Sequence, residues 1–148
     1  YLCIIKENGI MDKKILQVKV SWTENNFGCA WYDEQVGSVV ATNKSLDSLK
    51  KDFKESLELH INGCVADGDN VPEYLVRGDY ELNFELDTAA LIHDAVSYTT
   101  LAVISRASGI NQRQLSHYAN GVKKARPAQR ERIVKGLKLI GSQILALC

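Results

Sequence analysis

The chain has 148 residues, with 18 Lys and Arg balanced by 18 Asp and Glu, a length that suits one ordinary domain or two small ones. No run approaches the length of a membrane span, and the apolar opening YLCII is shorter than a signal-peptide core and lacks its flanks, which argues against secretion. Cys3, Cys29, Cys64 and Cys148 form no CxxC pair and have no metal-ligand spacing, so they read as small buried hydrophobes of a protein in a reducing cytoplasm.

Met11 is a candidate start, and residues 1–10 read as an extension outside the fold. From Lys13 to Trp22, the residues Leu16, Val18, Val20 and Trp22 alternate with Gln17, Lys19 and Ser21, the period of a half-buried strand. Glu24, Asn25 and Asn26 supply a turn. Phe27, Cys29 and Trp31 repeat the alternation, which predicts a hairpin, and Ser38 to Thr42 adds a third short strand. Ser45 is placed to cap a helix in which Leu46, Leu49, Phe53, Leu57 and Ile61 recur at helical spacing, so this helix is expected to cover the sheet. Residues 62–79 hold Gly63, Gly68, Pro72 and Gly78 and read as a long surface connection. Tyr80, Leu82, Phe84 and Leu86 then alternate with Glu81, Asn83, Glu85 and Asp87, a strand with one acidic face. Taken alone, that face reads as a solvated edge guarded by charge against aggregation.

Thr88 can cap a helix through Tyr98 whose Leu91, Ile92, Ala95 and Val96 open a second domain, with the border near Asp87. Thr99 or Thr100 begins the next helix, which carries Leu101, Ile104 and Ser105 inward and ends at Gly109; Ile110 plugs the corner. Asn111 caps a further helix whose Leu115 and Tyr118 face inward while Gln112, Arg113, Ser116 and His117 stay outside. Pro127 fits the first position of the last helix, in which Ile133, Val134, Leu137, Ile140, Ile144 and Leu147 run down one side and Gly136 and Gly141 loosen the backbone. That stripe continues beyond what four helices need, so part of it reads as a homodimer or higher even-numbered interface.

Two short helices with a glycine turn occur in many domains that never touch DNA. Charge separates the two readings. From Thr99 onward nine Lys and Arg stand against Glu131 alone, a net of +8, while residues 1–98 hold nine Lys and Arg against 17 Asp and Glu, a net of −8. A chain this polarised points to a polyanion at its basic half. The stretch Thr99 to Gly121 therefore reads as a helix-turn-helix whose second helix enters a major groove, where Gln bonds adenine and Arg bonds guanine. Thr100, Asn111, Gln112, Arg113, Ser116, His117, Asn120, Lys123 and Lys124 are the expected DNA-binding residues.

The order strand, hairpin strand, third strand, helix, strand and helix-turn-helix resembles the HicB antitoxins of bacterial HicA-HicB toxin-antitoxin modules. The residues that carry it are KILQVKVSWTENNFGCAWYD, VVATNKSLDSLKKDFKESLELHI and the terminal helix-turn-helix, together nearly everything from Lys13 onward. The chain departs from the commoner pattern in having no proline-glycine pair in the sheet region. The resemblance implies an α+β protein: a partial ribonuclease-H-like β-β-β-α-β domain over residues 11–87 that covers the active site of a small basic ribonuclease toxin, and an all-α domain over 88–148 that represses the operon by binding operator DNA. On that reading Glu81, Glu85 and Asp87 contribute to the toxin face.

No enzyme, metal or cofactor is expected. Two-metal hydrolysis needs several converging carboxylates, the first strand offers only Gln17, and Asp33, Glu58 and Asp87 are the only acids that could be imagined together. His60, His93 and His117 have no partner at diagnostic spacing. The alternative is a stand-alone helix-turn-helix repressor whose first domain binds a small metabolite or oligomerises; a pure scaffold is a third.

Overall fold

A computed structural model describes residues 13–148; Cys3, Met11 and the extension expected over 1–10 lie outside the described residues. The architecture is α+β, with one four-stranded mixed sheet and six helices. The strands β1 (Lys14–Thr23), β2 (Asn26–Asp33), β3 (Gly37–Asn43) and β4 (Tyr80–Leu86) lie in the order β3-β2-β1-β4. Strand β1 is central, antiparallel to β2 and parallel to β4, with Val20 opposite both Cys29 and Leu86.

The alternating pattern decides which face is covered. Leu16, Val18, Val20, Phe27, Cys29, Trp31 and Val39 are buried beneath α1 (Leu46–Asp67), whose Leu46, Leu49, Phe53, Leu57 and Ile61 form the matching stripe. Phe84 meets Phe53 edge to face at 5.8 Å, a favoured aromatic geometry. The Ser45 hydroxyl accepts from the Ser48 amide and caps the helix.

Residues 62–79 are not the loop expected. Helix α1 runs on to Asp67 and stops at Gly68, which takes the left-handed conformation with φ of 80°. A second, five-residue helix α2 (Glu73–Arg77) buries Leu75. Gly63 misleads because it sits on an exposed face, where a helical glycine costs only about 1 kcal/mol, while Cys64, three residues past Ile61, keeps the apolar stripe going against the core.

The remaining helices are α3 (Thr88–Ala95), α4 (Leu101–Ser108), α5 (Gln112–Ala119) and α6 (Pro127–Leu145). Asp87, rather than Thr88, caps α3: its carboxylate accepts from the Ala90 amide at 2.8 Å. Val96 is exposed at the end of that helix instead of packing. Two hydrophobic cores divide inside α3, Ala90 belonging to the sheet core and Ile92 to a second core with Ile104, Ile110, Leu115, Tyr118 and Ile133.

Gly136 does not loosen α6. It is buried, and a Cβ there would stand 3.0 Å from the backbone nitrogen of Ser108, so its missing side chain is what lets α6 pack closely on α4. Past Ile140 the apolar stripe leaves the core: Ile144, Leu145 and Leu147 are 55%, 75% and 86% exposed. Cys148 is exposed too, unlike the buried Cys29. No helix among the described residues is long and apolar enough to cross a membrane.

Candidate nucleic-acid interface

Helix α5 is held by its inward face and presented by its first turn. Leu115, Tyr118 and Ala119 are buried, and the Tyr118 hydroxyl accepts from the Gln114 side-chain amide at 2.6 Å. The Asn111 side chain accepts from the Gln114 backbone amide at 2.8 Å, which fixes the start of the helix. Gln112 and Arg113 follow directly, both exposed and free of protein partners among the described residues.

The turn before α5 is built to hold this angle. Gly109 has φ of 70° and ends α4, and the Arg132 guanidinium on α6 donates to the carbonyls of Gly109 at 2.8 Å and Ser108 at 3.3 Å. Arg130 likewise donates to the Leu86 carbonyl at 2.7 Å and the Thr88 hydroxyl at 3.2 Å. Two of the nine cations of the basic half therefore bind backbone carbonyls, and a third, Lys135, pairs with Glu131 at 3.0 Å.

After α5 the chain turns back through Val122 and Lys123, whose amides both donate to the His117 carbonyl. Lys123 and Lys124 are exposed and join no ion pair among the described residues. Together with Arg126 they border a hollow of about 440 Å³, completed by Gln114, Tyr118 and Gln129. It lies beside the first turn of α6, where Pro127 holds the N1 position without an amide hydrogen, no side chain caps the end and the Gln129 and Arg130 amides both donate to the Arg126 carbonyl, so the three cations, with the positive end of the helix dipole, favour an anion there. Gln114 and Gln129 are not among the residues expected from sequence, although Gln129 lies three residues past Arg126, in the same opening turn.

The other expected DNA-binding residues fall differently. Thr100 caps α4 by accepting from the Val103 amide at 3.3 Å, and Asn111 is the α5 cap, so both side-chain oxygens have local partners. Ser116 and His117 are half-buried rather than outside. Ser116 accepts from the Asn120 side-chain amide at 3.3 Å, because the face that carries them also touches the segment leaving the helix. Gln112, Arg113, Lys123 and Lys124 are the expected residues with unengaged, exposed side chains.

On the sheet, Glu81 and Glu85 are exposed on the face opposite α1, in register with Ile15 and Lys19, whereas the Asp87 carboxylate is engaged as the α3 cap. Asp33 accepts from the Gln35 and Val36 amides at the end of β2, and the antiparallel and parallel pairings put it at the opposite end of the sheet from Asp87. These two acids do not converge. Among the described residues no group of three or more His, Cys, Asp or Glu is placed to hold a metal ion. Burial pushes the Cys29 thiol up to about 11, opposite to the shift that activates a nucleophilic cysteine. Compared with known proteins, the chain matches no family model, no curated protein and no solved structure.

Proposed function

We propose that this chain is an antitoxin of the HicB kind, a non-enzymatic protein that represses its own operon through α4 and α5 and neutralises a small basic ribonuclease through its sheet layer. In this reading α4 and α5 form a helix-turn-helix. The observation that carries it is the pairing of an exposed Gln112 and Arg113 at the start of a rigidly seated helix with unpaired Lys123 and Lys124 just beyond its end. A helix so oriented reads base edges with its first turn while the flanking cations meet phosphates.

The partial ribonuclease-H-like reading draws support from three antiparallel strands followed by a covering helix and a fourth strand parallel to the first. The net of −8 over residues 1–98 suits a cationic partner, whose encounter rate complementary fields would raise. Exposed Leu139, Ile144, Leu145 and Leu147 suit a homodimer or higher even oligomer, in which two reading helices would meet successive major grooves of a palindromic operator.

A mobility shift with the promoter fragment of its own operon tests the DNA reading, and no shift at low salt would sink it. Co-purification with the product of a neighbouring short, basic reading frame tests the toxin reading. Glu81→Lys with Glu85→Lys should weaken that complex, and unchanged affinity at low salt removes β4 from the interface. A groove between the sheet and the helices favours the second reading, a stand-alone repressor with a ligand-binding first domain; a lone gene and a partner-free protein would support it.

A further inference from the structure

Among the described residues no helix covers the sheet face opposite α1, where Ile15, Tyr32 and Val40 are exposed. On it the strand pairing aligns Ser21, Gly28 and Thr42 in one row and Lys19, Ala30 and Val40 in the next, with Glu85 beside Lys19 on β4. Between this face and the segment that joins α5 to α6 lies a groove of about 1080 Å³, bordered on the helical side by Tyr118, Lys123, Lys124, Ala125 and Pro127. That is the size of a small-molecule site, and most of its surface is apolar.

Six charged side chains border the groove, and four of them already have partners or neighbours of opposite sign. Arg130 is bonded to Leu86 and Thr88, and Asp87 caps α3. Lys19 and Glu85 are direct cross-strand neighbours, so their charges offset one another. Lys123 and Lys124 remain. The groove is thus an apolar slot with two uncompensated cations on its helical wall.

We propose that this groove binds a small amphipathic anion, a flat apolar body with a carboxylate or sulfonate held by Lys123 and Lys124. A neutral molecule would leave both ammonium groups without a partner, and a simple inorganic anion would leave the apolar walls wet. Because the DNA reading puts the same lysines on phosphates, the anion and DNA compete; only this competition rests on that reading, whereas the anion site does not.

The dye 8-anilinonaphthalene-1-sulfonate is such an anion and fluoresces on leaving water. Titrated with the full chain, it should show one saturable site that Gly28→Leu abolishes and that Lys123→Glu with Lys124→Glu weakens about tenfold. A Cβ at Gly28 meets only the Thr42 methyl, at 3.9 Å, so the leucine enters the groove without displacing backbone. If circular dichroism shows Gly28→Leu unfolded, the exposed lysine pair carries the test. Unchanged dye affinity in the lysine variant, or in a folded Gly28→Leu protein, overturns the proposal and puts the dye on another apolar surface such as the end of α6. The promoter fragment should displace the dye; failure to do so in a protein that shifts the fragment overturns the competition. A protein that shifts no DNA yet binds dye through the two lysines sinks the DNA reading and leaves the groove site standing.

Discussion

His93 lies flat on Trp22, ring centroids 3.8 Å apart and planes within 14° of parallel, and its Nε2 is 2.9 Å from the Ala119 carbonyl. One side chain on α3 thereby ties the end of β1 to the last residue of α5. Helix α5 is therefore oriented against the sheet as well as within its own core. Stacking is worth about 0.5–1.5 kcal/mol and a hydrogen bond about 1 kcal/mol. His93→Ala should therefore lower unfolding free energy by roughly 2 kcal/mol. It should also separate the melting of the two layers, which calorimetry would register as a broadened or double transition. A single transition at the original midpoint would mean that the ring does not couple the layers.

Gly136 and Gly141 share a helix and predict opposite responses to the same substitution. At Gly136 an added Cβ meets the Ser108 nitrogen, Cα and Cβ at 3.0–3.1 Å, whereas at Gly141 it meets nothing within 4 Å. Gly136→Ala should destabilise by about 1–3 kcal/mol, the range for overpacking a tight contact. Gly141→Ala should stabilise by up to about 1 kcal/mol through helix propensity. Urea melts of the two variants check the pair, and equal shifts of the same sign would contradict the close approach of α4 and α6.

Asp94 supplies a pH dependence with a definite sign. Burial is the main cause that raises its carboxyl above the ordinary 3.8; the Asp47 carboxylate adds to the rise and Lys50 partly opposes it. A carboxyl that holds its proton more tightly when folded contributes stability below its unfolded pKa, and this contribution is lost as pH rises through the folded value. Asp94→Asn should therefore stabilise the protein at neutral pH and flatten the stability decline that begins just above pH 3.8. Unfolding curves from about pH 3 to 7 would show it, and a variant less stable than the parent at neutral pH would mean the ionised carboxylate is a favourable partner.

Sequence patterns revealed more of the fold where a period repeats than where a single residue decides. The alternation of β1, β2 and β4 and the five-residue stripe of α1 recur often enough to fix which side is buried. Gly63 and Gly136 carry the same letter and different meanings: one faces solvent in mid-helix, the other touches Ser108. Only three-dimensional neighbours distinguish them. In the candidate site, Gln112 and Arg113 follow from the cap at Asn111. The half-burial of His117 does not, because it depends on the path of the chain after the helix. Nor does any periodicity reveal that Arg130 and Arg132 turn back onto the protein, since their carbonyl partners lie 23 to 44 residues earlier.

That distinction among cations sharpens what DNA binding should look like. Arg113, Lys123, Lys124 and Arg126 are exposed, while Arg130 and Arg132 bind backbone carbonyls and Lys135 pairs with Glu131 at 3.0 Å. With three or four phosphates neutralised per protomer, a dimer should show a log-log salt slope of roughly −5 to −7. Lys123→Ala or Lys124→Ala should weaken binding to all sequences alike and make that slope shallower by about 1 for each phosphate left without its cation. Gln112→Ala and Arg113→Ala should instead relax sequence preference, at about 1–3 kcal/mol for each bidentate bond to a base that is removed. Arg132→Ala belongs to neither class: with the Gly109 carbonyl released, it should impair operator and random DNA through a looser α4–α5 turn and lower thermal stability in parallel. Anisotropy titrations against operator and scrambled duplexes at several salt concentrations separate the three outcomes, and identical profiles for Gln112→Ala and Lys123→Ala would mean the first turn of α5 does not face the bases.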